Sequence, residues 1–414
     1  MPRHRPPPPP RARASTAVDL TDPAALTDPS DDVDDTVSDV EGEAALHRAL
    51  DRGGAGPSLA DLGWDDRWEA AAAAIGRDDT VPARVAVEHR GRLVVVGPEG
   101  SRLGFAPQGA QHDSTDPDAA LQRPRVGDWV LVPPGDTPRV AALLPRRTAL
   151  LRQVPRRRVA VQVVAANLDL VVVVAAFGNE LNVRRIERYL AAAEASGAAR
   201  LVVVNKRDLA PPGADPAAGL AATLGASVPV VALSAHDGDG IDALRAHMGP
   251  GHTIGLVGSS GVGKSSLANA LLGRSELAVG AVRADDEKGR HTTTHRELVV
   301  LPAGLDGRSA GVLIDTPGMR ELQLWDGSGV DRSFDDLHAI AARCRFRGCT
   351  HTREAGCALL NDIEDGVLEP GRLGSYRKLM AEVRAKDEAA RRRRDPRRAA
   401  PDRWHPRDWQ PDEG

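Results

Sequence analysis

The sequence predicts three folded units in succession: a small β-barrel, an α/β unit with a parallel sheet, and a small α-helical unit pinned by a metal. Three observations carry this. Between Ala83 and Leu144, short apolar runs are punctuated by Gly, Pro and Asp, the pattern of a small barrel or sandwich. From Val159, continuous apolar strands alternate with helix-length segments, which implies parallel strands with helices on both faces. All three cysteines of the 414-residue chain fall between Cys344 and Cys357, an odd and clustered set that favours a metal site in a reducing compartment over a disulfide framework.

Composition narrows the class. The hydrophobic fraction is 41% and the charged fraction 27%, ordinary for a globular chain, and at 3% aromatic residues the cores rest on Val, Leu, Ile and Ala. A net charge of −4 excludes a global polycation, so any nucleic-acid contact needs local basic patches. Residues 1–57 read as a disordered extension, a Pro-run followed by an acidic, Ser- and Asp-rich stretch. Its start lacks the apolar core of a signal peptide, and the run Leu168–Ala176 is too short to span a bilayer. A cytoplasmic monomer with no membrane partner is the expectation.

The elements follow in order. Leu59–Ile75 reads as a short helix. Ala83–Glu88, Arg92–Val96, Gly104–Ala106, Trp129–Val132 and Arg139–Leu144 read as strands of the barrel unit, residues 58–155, with Gln108–Pro124 as a polar loop. Residues 156–325 form the α/β unit. Its strands are Leu168–Ala176, Leu201–Val204, Val228–Leu233, Thr253–Val257, Glu297–Leu301 and Gly311–Ile314; its helices are Val183–Ala195, Pro216–Leu224, Ile241–His247 and Lys264–Leu272. Residues 326–390 form the helical unit, and 391–414 an Arg-rich, then Pro- and Asp-rich, disordered tail.

Strand Thr253–Val257 runs into Gly258, Ser259, Ser260, Gly261, Val262, Gly263, Lys264, Ser265 and Ser266, then an apolar helix. This is a phosphate-binding loop in its required strand–loop–helix context. Backbone N–H groups and the helix N-terminus cradle phosphate, Lys264 reaches the β- and γ-phosphates, and Ser265 ligates Mg²⁺. Asp315 ends the apolar strand Val312–Ile314 and heads Asp-Thr-Pro-Gly, so it is the candidate for a Mg²⁺-bound water and the Gly318 amide for the γ-phosphate.

Strand Leu201–Val204 ends in Asn205, Lys206, Arg207 and Asp208. Guanine offers N1–H and N2–H₂ to a carboxylate, whereas adenine would leave Asp208 unpaired and desolvated. Lys206 covers a face of the base and Asn205 fixes the loop. Strand Val228–Leu233 ends in Ser234 and Ala235, where a backbone amide can serve guanine O6. The chemistry is that of a GTP phosphohydrolase. The guanine motifs precede the phosphate loop, an order explained by circular permutation, which leaves every motif at a strand's C-terminal end. The segment after Asp315 then leads into the helical unit, a candidate two-state readout of the γ-phosphate.

Between the loop and Asp315 lies Gly-Arg-His291-Thr-Thr293-Thr294. Thr293 or Thr294 suits Mg²⁺, the sequence not deciding which. Met319 stands where many GTPases orient water with Gln, so His291 is the nearest suitable base; a solvated loop His is the competing reading. Cys344, Cys349, His351 and Cys357 give Cys-x4-Cys-x-His-x5-Cys, four soft ligands for one tetrahedral, structural Zn²⁺.

Together the motif order, the Gly-Arg-His-Thr-Thr-Thr segment, the Cys/His cluster, Gly127-Asp128-Trp129-Val130 and Ala165–Asp169 resemble the ribosome small-subunit-dependent GTPase A family over roughly Leu59 to Ala390. The resemblance implies an OB-fold barrel, a circularly permuted GTPase centre and a zinc domain. It also implies a role in late 30S subunit maturation on 16S rRNA, turnover stimulated by the subunit, and a catalytic His291. The long N-terminal extension, the Leu-Gly-Trp-Asp start at Leu62–Asp65 and the loop Gln108–Pro124 depart from the family pattern. From the residues alone, RNA contact rests on Arg146, Arg147, Arg152, Arg156–Arg158 and Arg391–Arg394, with Phe105 and Trp129 as candidate stacking residues; plain solvated surface competes with that reading for the arginines, and a core position for Trp129. The alternative function is a GTP-switched regulator of another RNA or protein partner.

Overall fold

The computed structural model describes residues 56–89, 92–107, 122–153, 161–178, 181–225, 227–273, 296–302, 309–315 and 328–394. The first unit contains β1 (Val81–His89), β2 (Arg92–Gly97), β3 (Gly100–Phe105), β4 (Trp129–Val132) and β5 (Ala142–Leu143). They pair antiparallel in the order β3-β2-β1-β4-β5. Phe105 pairs with Arg139 ahead of β5 and so curls the sheet back on itself. Alternate residues Ala83, Val85, Leu93, Val95, Val130 and Val132 fill its interior with Val140, as period-two patterning demands.

A bulge between Val85 and Val87 bends β1, whose first half pairs with β4 while Val87 pairs with Glu297. The antiparallel sheet thereby continues into the α/β sheet. That sheet contains β8 (Leu170–Ala176), β9 (Ala199–Asn205), β10 (Val230–Ala232), β11 (Thr253–Val257), β12 (Glu297–Val300) and β13 (Val312–Asp315), in the order β10-β9-β8-β11-β13-β12. Five strands are parallel; β12 is antiparallel to β13, so the sheet is mixed rather than parallel as expected. The connection from Val300 to Val312 is too short for a crossover helix, and a short connection forces a hairpin.

In β8, Val171, Val173 and Ala175 enter one core cluster while Leu170, Val172, Val174 and Ala176 enter another, which explains its unbroken apolar run. The helices here are α2 (Val183–Ser196), α3 (Pro216–Leu224), α4 (Ile241–Arg245) and α5 (Lys264–Leu272). A hairpin that the sequence did not announce, β6 (Ala149–Gln153) with β7 (Val161–Ala166), straddles the expected division at 155/156. In the helical unit, α6 (Ser328–Ser333), α7 (Asp335–Ala341) and α8 (Ala358–Glu364) lead to α9 (Pro370–Arg394), which runs past the expected start of the tail at 391 because its Ala, Arg, Glu and Lys residues all favour helix.

The helix expected over Leu59–Ile75 is shorter, α1 (Asp66–Ile75), because Asp65 caps it by accepting from the Arg67 and Trp68 amides. Asp65 also pairs with Arg147 at 2.5 Å, and this partner, opposed by partial burial, holds its carboxyl down at about 2. A depressed folded-state value means that its stabilisation is present above the ordinary carboxylate range and is lost as pH falls toward 2. The destabilisation caused by Asp65→Ala should therefore be visible in urea melts at pH 7 and shrink progressively as pH is lowered from 4 toward 2.

Arg84 ties the units together. Its guanidinium is buried and donates to the carbonyls of Leu62, Gly127 (3.1 Å) and Asn167 (3.1 Å). Burial lowers its pKa to about 10, against the pull of Asp169 and Asp128, so it stays charged at neutral pH. Arg84→Met strands the Leu62 and Asn167 carbonyls, while that of Gly127 still accepts from Asn167 Nδ2 at 3.2 Å; each unpaired buried acceptor costs about 1–3 kcal/mol, so a loss of about 2 kcal/mol or more in equilibrium unfolding is expected.

Candidate functional site

The nucleotide motifs converge at the C-terminal ends of β8, β9, β10, β11 and β13. Gly258 leaves β11 at φ 151°, where a Cβ would stand 2.2 Å from the Val174 carbonyl of β8, so only glycine lets the loop start here. Lys264 opens α5 and its Nζ donates to the Gly258 and Ser259 carbonyls at 2.9 and 2.7 Å, closing the loop on itself. Ser260 and Gly261 form its tip, and Ser265 and Ser266 occupy the first turn of α5. Asp315 is buried at the end of β13, and β13 runs parallel to β11, which puts its carboxylate at the same sheet edge as the loop.

Asn205 joins the guanine motifs to the phosphate motif. Its Nδ2 donates to the Val262 carbonyl at 2.8 Å and its Oδ1 accepts from the Ala235 amide at 2.9 Å. A Cβ on Gly263 would stand 2.3 Å from Asn205 Nδ2, so the third loop glycine admits this bond. Lys206 adopts a left-handed φ of 62°, turning the chain into the short turn Arg207–Leu209. Asp208 Oδ1 accepts from Ser234 Oγ at 2.8 Å, which aims the exposed carboxylate, and Arg207 pairs with Asp239 at 3.3 Å. His291, Thr293, Thr294 and Gly318 lie outside the described residues.

The second site is the Cys/His cluster. One ligand atom from each of Cys344, Cys349, His351 and Cys357 lies within 4.8 Å of the others. Cys344 Sγ is 4.0 Å from Cys357 Sγ and 3.6 Å from His351 Nδ1, and Cys357 Sγ is 3.4 Å from the same nitrogen. Metal–sulfur bonds of about 2.3 Å in a tetrahedron give edges of about 3.8 Å, so the donors fit one ion. His351 takes φ 58°, a left-handed turn that brings its ring back onto the sulfurs.

The arginines and aromatics singled out for RNA are corrected in part. Trp129 is only 1% exposed and packs edge-on against Trp64, so it is core. Arg146 pairs at 2.6 Å with Asp128, which is wholly buried, and so is an internal tie, whereas Arg147 pairs with Asp65 at the surface. Arg152 lies 3.4 Å from Gln162 within the β6–β7 hairpin. Phe105 is half-buried beneath Arg139. Arg156–Arg158 lie outside the described residues, and of Arg391–Arg394 only the helical backbone is described. Among the described residues the exposed aromatic is instead Phe346, 51% exposed on the Cys344–Cys357 loop with Arg345 over its ring. Its position between the Cys and His residues of the candidate metal site was the available signal.

A family model described as RsgA GTPase matches residues 143–325. A relative from Opitutus terrae, named small ribosomal subunit biogenesis GTPase RsgA, is 44% identical over 365 residues, covering 84% of this chain and 95% of its own. The chain belongs to the RsgA GTPase family. A member of that family from Streptomyces coelicolor, with the same name, is 44% identical over 78% of this chain and 86% of its own. Two solved structures share the fold. The crystal structure of YjeQ from Thermotoga maritima matches with TM-score 0.54 at 24% identity over 73% of this chain and 98% of that one. YloQ, described as a circularly permuted GTPase, matches with TM-score 0.51 at 19% identity over 75% and 97%. Among the described residues no helix is long and apolar enough to cross a membrane.

Proposed function

We propose that this chain hydrolyses GTP to GDP and phosphate in late maturation of the 30S subunit, acting as a cytoplasmic monomer that docks on 16S rRNA. The observation that carries the chemistry is Asn205, which bonds the phosphate loop through Val262 and the Ser234–Ala235 turn through the Ala235 amide, so base and phosphate recognition form one unit. The subunit role is supported by the relatives' name, small ribosomal subunit biogenesis GTPase.

In this reading Asp208 accepts from the guanine edge, Lys206 covers its face, and Ser259–Ser266 wrap the phosphates. Ser265 and Asp315 hold Mg²⁺ with Thr293 or Thr294, Gly318 senses the γ-phosphate, and His291 orients the attacking water. Mg²⁺ supplies charge neutralisation on the phosphates. The Cys/His site holds structural Zn²⁺, and residues 58–155 form an OB-type barrel ahead of the GTPase unit, 156–325, and the metal unit, 326–390. The exposed Phe346 with Arg345 and Arg347 supports an RNA-facing role for the metal loop.

GTP turnover should be measured with purified 30S subunits, 50S subunits and neither. Stimulation by 30S alone is expected, with His291→Ala removing turnover and sparing nucleotide binding. GTP turnover that 30S leaves unchanged would instead favour a GTP-switched regulator of another partner.

A further inference from the structure

Helix α2 reaches the phosphate loop with two side chains. Asn182 caps the helix by accepting from the Arg185 amide at 3.1 Å, which fixes the first turn. Residues 185 and 189 then share one face. Arg185 Nη1 donates to Ser259 Oγ at 2.8 Å, and Tyr189, buried one turn on, hydrogen-bonds the same serine. Ser259 is also where Lys264 Nζ rests, at 2.7 Å from its carbonyl. Two cations thus converge on one loop residue, Lys264 from inside the loop and Arg185 from its outer rim.

The helix that carries Arg185 is held firmly elsewhere. Glu187 bonds Arg372 of α9 at 3.0 Å, both buried, and Arg188 bonds Glu382 at 2.5 Å. Arg185 itself is exposed, so its guanidinium turns on a solvated stem from a fixed Cα. A planar fork of donors on such a stem suits a phosphoryl group, whose oxygens take two parallel hydrogen bonds.

The geometry points to Arg185 as a further catalytic residue: its guanidinium rests on Ser259 and turns onto the γ-phosphate of GTP, where it neutralises charge as hydrolysis proceeds. This rests on the GTPase reading above. Water attacks the γ-phosphorus, the bond to the β,γ-bridging oxygen breaks, and the electron pair stays on that oxygen of GDP. Both protons of the water leave with the phosphate, as dihydrogenphosphate. Arg185 transfers no proton; it donates hydrogen bonds throughout and stays charged.

The test uses the full chain with 30S subunits, reading steady-state GTP hydrolysis and the affinities for GDP and for a non-hydrolysable GTP analogue. Arg185→Ala should lower kcat about a hundredfold, the low end of what one aimed donor supplies to developing charge. It should weaken the analogue while leaving GDP affinity unchanged. Arg185→Lys should recover part of the analogue affinity, through its point charge, but little of kcat. An unchanged kcat in Arg185→Ala overturns the proposal. So does an equal loss of GDP and analogue affinity, which would mark Arg185 as a mere brace of the loop. Wild-type protein that turns over no GTP with or without 30S overturns the GTPase reading itself.

Discussion

Asp208→Asn should abolish productive GTP binding, with affinity falling about 10⁴-fold, the scale on which a polar site rejects a ligand that leaves its groups unpaired. The carboxylate is aimed by Ser234 Oγ at 2.8 Å, and Ser234 is itself buried, so the loop has little freedom to re-aim another group. Asn presents an NH₂ where guanine also presents donors. Xanthine carries a carbonyl at C2, so the same variant should gain affinity for xanthosine triphosphate. Titration with fluorescent GTP and XTP decides it: equal GTP affinity in wild type and variant would remove Asp208 from the base site.

Removing the metal should unfold residues 344–364 while leaving the phosphate loop intact. Structural Zn²⁺ contributes on the order of 10 kcal/mol in small metal-clasped units, as much as the whole stability of an ordinary domain. Residues 344–357 have few apolar anchors: Cys357 is buried, whereas Phe346 projects outward. Cys349→Ser, or chelation, should therefore release one metal ion per chain and strip hydrogen-exchange protection from 344–364. Protection of β11 and α5 should persist, because their core cluster contains no residue of the metal unit. A purified chain with no metal and a fully protected 344–364 would contradict the site. The contacts Arg372–Glu187 and Arg188–Glu382 predict a secondary loosening of α2.

Much of the site was readable in the residues because its chemistry is local. A phosphate loop is one contiguous strand, turn and helix start, and Thr253–Val257 and Lys264–Leu272 fall where the pattern placed them. The metal ligands lie within fourteen residues of one another, from Cys344 to Cys357, so their spacing carried the geometry. The Asn205–Asp208 motif and Ser234–Ala235 were legible as strand ends, but their union was not. That union depends on Asn205 reaching Val262, which is 57 residues away in sequence.

What only the tertiary structure decided concerns pairings between distant segments. Local pattern determines that Glu297–Val300 is a strand; it does not determine that β12 runs antiparallel to β13 and hands the sheet on to β1. Arg146 and Trp129 carry the composition of an RNA surface, yet each is taken up by a partner inside the fold, Asp128 and Trp64. An arginine's charge is written in the sequence, but whether that charge faces solvent or a buried carboxylate depends on which segments the fold brings together. By itself the sequence determined the chemistry of the phosphate, base and metal ligands, because each is set by residues adjacent in the chain. The three-dimensional fold decided where the remaining charges go, setting Arg146 on the buried Asp128 and Arg185 on Ser259 of the phosphate loop.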